Sequence, residues 1–329
     1  MMTFDTRWFG EHGIGRFAQE VRTRLTSPVS DFQGADPVSP RGLAELELLG
    51  TRSFLRPASL FLSPGYAPPI WWNGPLVFTV HDLIHLDVAD ESSRFKTLYY
   101  DRVVRPAVHR ARRVLTVSEY SRHRLLEWSG VSPEQVVVVG NGVDPAFSPH
   151  GPVYQPGFPY VLYIRNTKPH KNVPKLLEAF AQLQYPELRL MLSGKPDDDT
   201  RHQALRLGIL DRVVFAGRIP EEELPAYYRG ATVVTMPSLY EGFGLPALEG
   251  MASGVPVVVS KTTSLPEVVG EAGLLVDPAS AESIAAGLEQ ALSDSELRTR
   301  LQTLGLERAK QFNWDDVGVR VRAALGEDE

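Results

Sequence analysis

The sequence predicts an α/β protein made of two doubly wound, parallel-sheet domains that face each other across a cleft. Short β-branched runs alternate with helical patterns in both halves, and a proline-rich segment separates the halves. In addition, 329 residues exceed what one comfortable core usually holds. We therefore expect domains at residues 1–150 and 151–329, and the last helix can pack back on the first domain.

The strands are predicted from short apolar runs without a helical period, because β-branched residues suit a buried pleated surface. In the first half they are Leu76–Val80, Val114–Val117 and Val136–Val139, with an earlier candidate at Met2–Thr6. In the second half they are Tyr160–Ile164, Leu188–Leu192, Val213–Phe215, Thr232–Met236, Val255–Val259 and Gly273–Val276.

The segment from Pro145 to Pro159 contains five prolines in fifteen residues. Proline has no backbone N–H, so this composition excludes a helix and a central strand. We expect the segment to join the two domains.

Composition narrows the class of protein. The chain has no cysteine, which excludes disulfides, thiolate catalysis and cysteine-ligated zinc and suits a reducing cytosol. The net charge of −6 argues against general nucleic-acid affinity. No apolar run reaches the roughly 18 residues of a membrane span, and the first residues do not resemble a signal peptide. We expect a cytoplasmic protein without a bound nucleic acid.

The most informative stretch is Glu241-Gly-Phe-Gly-Leu-Pro-Ala-Leu-Glu249, directly after a predicted strand. Ligands of α/β folds bind at this end of a strand. Pro246 suits the first turn of a helix, and the glycines let the backbone approach a ligand. A helix N-terminus favours an anion, while two carboxylates favour hydroxyl groups. A diphosphate that carries a polyol, such as a nucleotide sugar, meets both requirements. The alternative is that both glutamates lie on a solvated helix face.

This stretch, followed by Met-Ala-Ser-Gly-Val-Pro-Val-Val, resembles the E-x7-E signature of retaining glycosyltransferases of family 4. The family has the GT-B fold of two Rossmann-like domains. The resemblance implies that Glu241 contacts the donor sugar and that Glu249 holds the ribose hydroxyls. It also implies that the loop between them contacts sugar and phosphate. The loop residues are Gly242, Phe243, Gly244 and Leu245.

A basic stretch, Arg165-Asn-Thr-Lys-Pro-His-Lys171, follows the strand Tyr160–Ile164. Two fixed cations can neutralise a departing diphosphate, as a divalent metal does in other enzymes. Their spacing resembles the Arg and Lys pair of the family, although many relatives have a glycine before the arginine, where this chain has Ile164. The alternative is two solvated side chains. After the strand at Val213, the resemblance places Arg218 and Ile219 beside the nucleotide base.

The first half contains Gly13-Ile-Gly-Arg-Phe-Ala18, which matches the G-x-G-x-x-A dinucleotide fingerprint literally. An NAD-linked enzyme is therefore one alternative. Against it, six residues separate Gly13 from the candidate strand at Met2–Thr6, where a tight turn is needed. The stretch also resembles the opening of family 4 mannosyl- and glucosyltransferases. There Gly13 and Gly15 would lie against the donor phosphates and sugar.

His81 follows the strand Leu76–Val80, and His81, Asp82 and His85 together could form a metal site. Alternation after a strand end does not aim all three at one point, and the family needs no metal, so we expect neither metal nor cofactor. The resemblance makes His81 a histidine beside the reacting sugar, with a neutral imidazole. A core or capping histidine is the alternative.

Seven arginines lie between Arg102 and Arg124 against one acidic residue, Glu119. Such a region can contact anionic lipid headgroups at about 1 kcal/mol per arginine. A solvated helix face with a phosphate site is equally compatible. A peripheral contact with the inner face of the cell membrane is one interpretation of this pattern. The arginines are Arg102, Arg105, Arg110, Arg112, Arg113, Arg122 and Arg124.

Together these residues predict a retaining hexosyltransferase that uses a nucleoside diphosphate sugar and a saccharide or lipid-linked acceptor. His81, Arg165, Lys171 and Glu241 form the predicted catalytic set. The residues resemble bacterial mannosyltransferases of surface polysaccharide assembly most, so GDP-mannose is the first donor expected and a UDP-hexose the second. A binding protein that kept the nucleotide-sugar site without catalysis is an alternative of another class.

Overall fold

The computed structural model describes residues 2–55, 59–164 and 168–327. The chain divides into two compact units, one formed by residues 1–142 with 314–329 and the other by residues 143–313. No helix in the described part of the chain is long and apolar enough to cross a membrane.

The first unit is built on a six-stranded parallel sheet of order β2-β1-β3-β4-β5-β6. Its elements in chain order are β1 (Met2–Asp5), α1 (Gly13–Arg24), β2 (Val29–Phe32), α2 (Pro40–Ser53), β3 (Leu60–Ser63), β4 (Leu76–Thr79), α3 (Ile84–Asp87), α4 (Arg94–Tyr99), α5 (Arg105–Arg110), β5 (Arg113–Thr116), α6 (Glu119–Ser129) and β6 (Val136–Val138). A π-helical segment, Tyr100–Val104, joins α4 to α5.

The second unit has a six-stranded parallel sheet of order β12-β11-β10-β7-β8-β9. Its elements are β7 (Tyr160–Tyr163), α7 (Val173–Ala181), β8 (Arg189–Ser193), α8 (Asp198–Arg206), β9 (Val213–Gly217), α9 (Leu224–Gly230), β10 (Val233–Met236), α10 (Leu245–Ala252), β11 (Val257–Ser260), α11 (Leu265–Val269), β12 (Gly273–Val276), α12 (Ala281–Ser293) and α13 (Ser295–Ala309).

The last helix, α14 (Trp314–Leu325), belongs to the first unit. It packs on α1, where a Cβ at Gly318 would lie 2.8 Å from Arg24 Cβ. Arg320 Nε donates to the Val139 carbonyl at 2.8 Å, and Val321 is fully buried. The helix therefore completes the core of the first unit.

Both sheets change winding direction once. In the first sheet the chain adds β2 on one side of β1 and β3 on the other, and in the second it adds β8 and β10 on opposite sides of β7. The crevice at the carboxyl ends of such neighbouring strands is where doubly wound folds bind ligands. We call these two positions, at β1 and at β7, the switch points of the sheets, and we expect ligands to bind at the carboxyl ends of their strands.

The predicted strands are confirmed, with ends shifted by one or two residues. No helix or strand occurs over residues 139–159, which include the proline-rich segment. Two strands of the first sheet were not predicted. The strand β2 is an edge strand with exposed Ser30 and Asp31, so it lacks an apolar run. The strand β3 does carry a short apolar run, Leu-Phe-Leu, and this signal was missed.

Candidate functional site

Two of the predicted site residues meet at the switch point of the second unit. Lys171 follows β7 and Glu241 follows the neighbouring strand β10. Lys171 Nζ donates to Glu241 Oε1 at 2.7 Å. The side chain of Lys171 is 13% exposed to solvent and that of Glu241 is 11% exposed. A cation and a carboxylate are therefore placed together at the ligand-binding edge of the sheet.

The backbone around Lys171 is tied to the loop that follows β10. Asn172 adopts a left-handed conformation with φ of 60°. Its Nδ2 donates to the carbonyl oxygens of Pro237 at 2.9 Å and Pro278 at 2.8 Å. Leu239 N donates to the His170 carbonyl at 2.8 Å. These bonds hold the lysine segment against the glutamate segment and fix the pair.

The loop after Glu241 is held from β11. Thr263 Oγ1 accepts the backbone N–H of Glu241 at 3.1 Å. Ser264 Oγ is within hydrogen-bond distance of two carbonyl oxygens, those of Glu241 at 2.9 Å and Phe243 at 3.0 Å. Ser264 is fully buried. The hydroxyl of Ser264, the N-cap of α11, thus helps to determine the path of the glycine-containing loop.

The predicted helix begins at Leu245, one residue before Pro246, and its N-cap is Gly244. Gly244 has φ of 110° and ψ of 49°, which side-chain-bearing residues rarely adopt. A Cβ there would lie 2.5 Å from Leu265 Cδ2. The glycine therefore allows the loop to enter α10 beside Glu241, with the positive end of the helix dipole at the site.

Glu249 lies in the second turn of α10 and is 4% exposed. Tyr228 Oη donates to its Oε2 at 2.7 Å, and the tyrosine ring packs edge-on against Phe147. The role of ribose anchor for Glu249 stays a prediction.

Two further predicted residues, Arg218 and Ile219, lie elsewhere in the second unit. Arg218 is exposed and Ile219 half-buried, directly after β9, where Gly217 has φ of 70°. β9 is the edge strand of the sheet, two strands from β7. Arg165 lies outside the described residues, so its predicted role is not tested.

His81 lies after β4 in the first unit. Its Nε2 is 2.9 Å from the Pro64 carbonyl oxygen, and its ring packs edge-on against Phe17 with a centroid separation of 4.9 Å. Burial lowers the pKa of His81 from 6.5 to about 4, the Pro64 carbonyl opposes this shift, and His12 adds to it. The imidazole is therefore neutral near pH 7. Because a carbonyl only accepts, the network assigns the proton to Nε2 and leaves Nδ1 as an acceptor.

Gly13 and Gly15 form the first turn of α1. A Cβ at Gly15 would lie 2.3 Å from the Gly10 carbonyl oxygen, so only glycine is accommodated. The backbone N–H of Gly15 donates to His12 Nδ1 at 3.0 Å. Residues 6–12 separate β1 from α1, so the tight turn of a dinucleotide fingerprint is absent here.

The residues of the alternative metal site bond to different backbone groups. Besides His81, Asp82 Oδ1 accepts the N–H of Ile84 at 3.0 Å, and His85 Nδ1 is 3.2 Å from the Glu91 carbonyl oxygen. Within the described ranges, no group of three or more His, Asp or Glu side chains could hold an ion.

The basic region is partly neutralised. Arg124 binds Asp87 through two nitrogens, at 2.7 and 3.1 Å, and also Glu127. Arg122 donates to the carbonyl oxygens of Val136 and Pro133. Acidic side chains from outside the run of arginines therefore reduce the net positive charge of this region. Its exposed arginines are Arg102, Arg105, Arg110 and Arg112.

Several residues that shape the site were not predicted. Asn172, Tyr228, Thr263 and Ser264 hold the side chains and loops described above. The polar run Ser260-Lys-Thr-Thr-Ser264 after an apolar strand signals a loop at the ligand edge of the sheet. No sequence signal pairs Tyr228 with Glu249, because the contact depends on how α9 and α10 pack.

The two doubly wound units, with the lysine and glutamate pair and the glycine-capped helix at a switch point, define a protein of the GT-B class. Residues 153–308 match the family described as "Glycosyl transferases group 1", and residues 55–147 match "Glycosyltransferase Family 4". The chain belongs to this family of glycosyltransferases.

Similar proteins of known function include bacterial mannosyltransferases. The O-antigen chain mannosyltransferase B of Escherichia coli is 34% identical over 258 residues, which are 73% of this chain and 67% of that protein. The MMP alpha-(1->4)-mannosyltransferase of Mycolicibacterium hassiacum is 36% identical over 263 residues, 77% of this chain and 59% of that protein. The matches thus span about two thirds of these relatives or less.

Solved structures share the fold at low sequence identity. Sucrose-phosphate synthase from Thermosynechococcus elongatus superposes with a TM-score of 0.80 at 21% identity, over 99% of this chain and 98% of that one. Anabaena HepE in complex with UDP and glucose gives 0.78 at 20% identity, over 99% of both chains. These likenesses establish the GT-B fold for the whole chain.

Proposed function

We propose that this chain is a retaining mannosyltransferase that moves mannose from GDP-mannose to an acceptor hydroxyl during the assembly of a bacterial polysaccharide, lipopolysaccharide or glycolipid. The observation that carries the proposal is the Lys171–Glu241 pair beside the glycine-capped start of α10. The printed names of the relatives support mannose as the sugar.

In this proposal the pair separates when the donor binds. Lys171 moves to the diphosphate, where it stabilises the charge that develops as the glycosidic bond breaks. Glu241 then accepts a hydrogen bond from a sugar hydroxyl. The N-terminus of α10 contributes further positive potential to the phosphates, and Arg165 supplies a second cation.

The remaining residues hold the substrate. Glu249 accepts the ribose hydroxyls, Arg218 and Ile219 border the base, and neutral His81 accepts from the sugar through Nδ1. Both glutamates already accept hydrogen bonds, from Lys171 and Tyr228, which suits gripping hydroxyls more than protonating a leaving group. Attack from the face of departure would give retention without a covalent intermediate.

A donor panel tests the proposal. Thermal unfolding of the chain is measured with GDP-mannose, UDP-glucose, UDP-GlcNAc or a dTDP-sugar. In a separate assay with an acceptor, the release of nucleoside diphosphate and the anomeric configuration of the product are recorded. A donor at 100 times its Kd stabilises by about 2.7 kcal/mol, which raises the Tm by roughly 5–10 °C for a domain of this size. We expect the largest shift with GDP-mannose and an α-linked product.

Other outcomes assign other functions. The largest shift with a UDP-sugar would replace the donor, and an inverted product would refute retention. Donor binding without release, with every acceptor offered, would indicate a binding protein that does not catalyse.

We also propose a peripheral membrane contact through the exposed arginines of the basic region. Charge reversal of Arg102 and Arg105 should reduce sedimentation with vesicles that contain anionic lipid and leave turnover on a soluble acceptor unchanged. Equal sedimentation of the wild-type chain with neutral and anionic vesicles would refute this contact.

A further inference from the structure

The first unit contains a cavity of about 220 Å³ near the carboxyl ends of β3 and β4. Half of its eight described lining residues are tyrosine or phenylalanine, namely Tyr66, Phe95, Tyr99 and Tyr100, and His85 and Lys96 contribute basic side chains. Its size exceeds the roughly 10–15 Å³ that one water needs. It falls below the roughly 300–1,000 Å³ of pockets for drug-sized ligands. The cavity therefore suits a single ring.

One turn of the chain, residues 64–66, links a wall of the cavity to the surroundings of His81. Tyr66 ends the turn that begins at Pro64, whose carbonyl oxygen bonds to His81. A Cβ at Gly65 would lie 2.3 Å from Trp8 Cε2, and the Trp8 and Tyr66 rings are 5.2 Å apart. One closely packed turn thus forms both a wall of the cavity and the support of His81.

The walls are arranged for a ring-shaped ligand. Tyr66 is stacked on Tyr100 with a centroid separation of 6.0 Å and an interplanar angle of 24°, and His85 meets both rings edge-on. Tyr100 also begins the π-helical segment, a feature that occurs frequently at functional sites. The C–H groups on the apolar face of a sugar ring can pack on such aromatic surfaces.

Lys96 supplies hydrogen-bond donors to the cavity. Lys96 Nζ donates to the Glu91 carbonyl oxygen at 2.7 Å and lies 3.2 Å from His85 Nδ1. An ammonium group has three N–H donors, so one remains after these two contacts. Hydroxyl groups are suitable partners for such donors.

The charges around the cavity argue against an anionic ligand. Burial is the largest cause that raises the pKa of Tyr66, and the carboxylates of Asp82 and Asp36 raise it further. Both carboxylates therefore act on this wall of the cavity. The pKa of Tyr99 is raised by burial first, then by Tyr66 and Glu47, and Arg7 opposes the shift. Lys96 is the one cation among the residues described as lining the cavity. A hydrocarbon chain is also unsuitable, because it would remove water from Lys96 without replacing its hydrogen bonds.

We propose that this cavity binds a neutral sugar ring of the acceptor. The inference rests on the proposed transferase function and extends it, because it assigns the acceptor as a neutral saccharide and not as a phosphorylated polyol. In this assignment the aromatic walls hold the apolar face of the ring, and Lys96 donates to a ring hydroxyl.

Two substitutions at the rim test the inference without disturbing the core. Val38 is 47% exposed and lines the cavity, so Val38→Trp should fill it. Phe95 is 74% exposed, so Phe95→Ala should remove one wall. Leu98→Ala is the matched control, since Leu98 lies on the same helix, is 53% exposed and does not line the cavity. The donor is the nucleotide sugar that the panel selects, and the acceptor probes are methyl α-mannoside, mannobiose and myo-inositol 1-phosphate.

The expected result is a preference of the wild-type chain for the neutral sugars. The loss of an aromatic contact should raise the acceptor KM by about 3–10-fold in Phe95→Ala, and Val38→Trp should raise it at least as much. Leu98→Ala should change it by less than twofold, and the donor Kd measured by calorimetry should be the same in all variants. An unchanged acceptor KM in Val38→Trp, or a wild-type preference for inositol phosphate, overturns the inference. Absence of donor binding in the wild-type chain refutes the proposed function instead.

Discussion

At the residue scale, Lys171 and Glu241 neutralise each other. Both side chains are largely shielded from water, so each needs a partner of opposite charge. In the proposed function, a phosphate of the donor replaces the glutamate as partner of the lysine, and a sugar hydroxyl replaces the lysine as partner of the glutamate.

Lys171→Ala should lower turnover by at least about 100-fold, because one preorganised charge at the leaving group is removed. It should also lower the free energy of unfolding by about 1–3 kcal/mol, since Glu241 is left without its partner. Turnover and urea unfolding are the measurements. In the double variant with Glu241→Gln, stability should recover while activity does not.

Lys175→Ala is the matched control for this prediction. Lys175 pairs with Glu178 at 33% and 39% side-chain exposure, so its loss should change stability by less than about 1 kcal/mol and leave turnover unchanged. Normal turnover in Lys171→Ala would rule out its proposed role at the diphosphate.

His81 couples stability to pH. Its pKa is about 4 in the folded chain against 6.5 for an ordinary histidine. As pH falls below 6.5, the unfolded chain takes up the proton first, so the stability present above pH 6.5 is lost progressively toward pH 4. The difference of 2.5 pH units corresponds to at most about 3 kcal/mol, an upper bound because His81 retains some exposed surface.

His81→Gln should remove this dependence. Urea unfolding at pH 5 and pH 7 should show a smaller difference in the variant than in the wild-type chain, because Gln does not titrate. Equal differences in the two proteins would show that His81 is not buried as a neutral group.

At the element scale, the donor loop depends on the end of β11 as much as on β10. Ser264 Oγ lies within hydrogen-bond distance of the Glu241 and Phe243 carbonyl oxygens, and Thr263 Oγ1 accepts the backbone N–H of Glu241. Strand β11 lies next to β10, so these bonds cross between neighbouring parallel strands at the ligand edge. These bonds position the loop that follows Glu241.

Ser264→Ala should weaken donor binding several-fold, because the loop carbonyls lose a buried partner, and should cost about 1–3 kcal/mol of stability. Calorimetric titration with the donor and urea unfolding are the measurements. Ser129→Ala is the control, since Ser129 makes a comparable buried bond to the Leu125 carbonyl in the first unit. If both variants bind the donor equally well, Ser264 does not position the loop.

At the scale of the whole molecule, the chain returns to its first unit at the end. The chain passes from one unit to the other twice, near residue 142 and near residue 313. The helix α14, which follows the second crossing, supplies buried apolar side chains to the first unit. The stability of the first unit therefore depends on residues that follow the complete second unit.

Val321→Ala should lower the stability of the first unit by about 1–3 kcal/mol, because its side chain is fully buried. Val319→Ala, on the same helix at 49% exposure, should change it by less than about 0.5 kcal/mol. Limited proteolysis followed by mass spectrometry measures the effect, with cleavage expected first within residues 1–142. Equal protection of the two variants would contradict this dependence.

Much of the fold was predictable because its signals are local. The β-branched runs, the prolines over 145–159 and the glycines before α10 act within a few residues of the chain. The short polar edge strand β2 was not predicted, because it is a strand through its pairing with β1 and not through its own composition.

The sequence by itself determined the α/β class, the family and the identity of the candidate donor residues. Only the tertiary structure decided which of them meet. Lys171 and Glu241 are 70 residues apart in the chain, and Tyr228 and Glu249 are 21 apart. Such contacts arise from the order of strands in a sheet and the packing of helices, which composition does not encode locally. The aromatic cavity of the first unit has the same origin, because α2, α4 and the turn after β3 form it together.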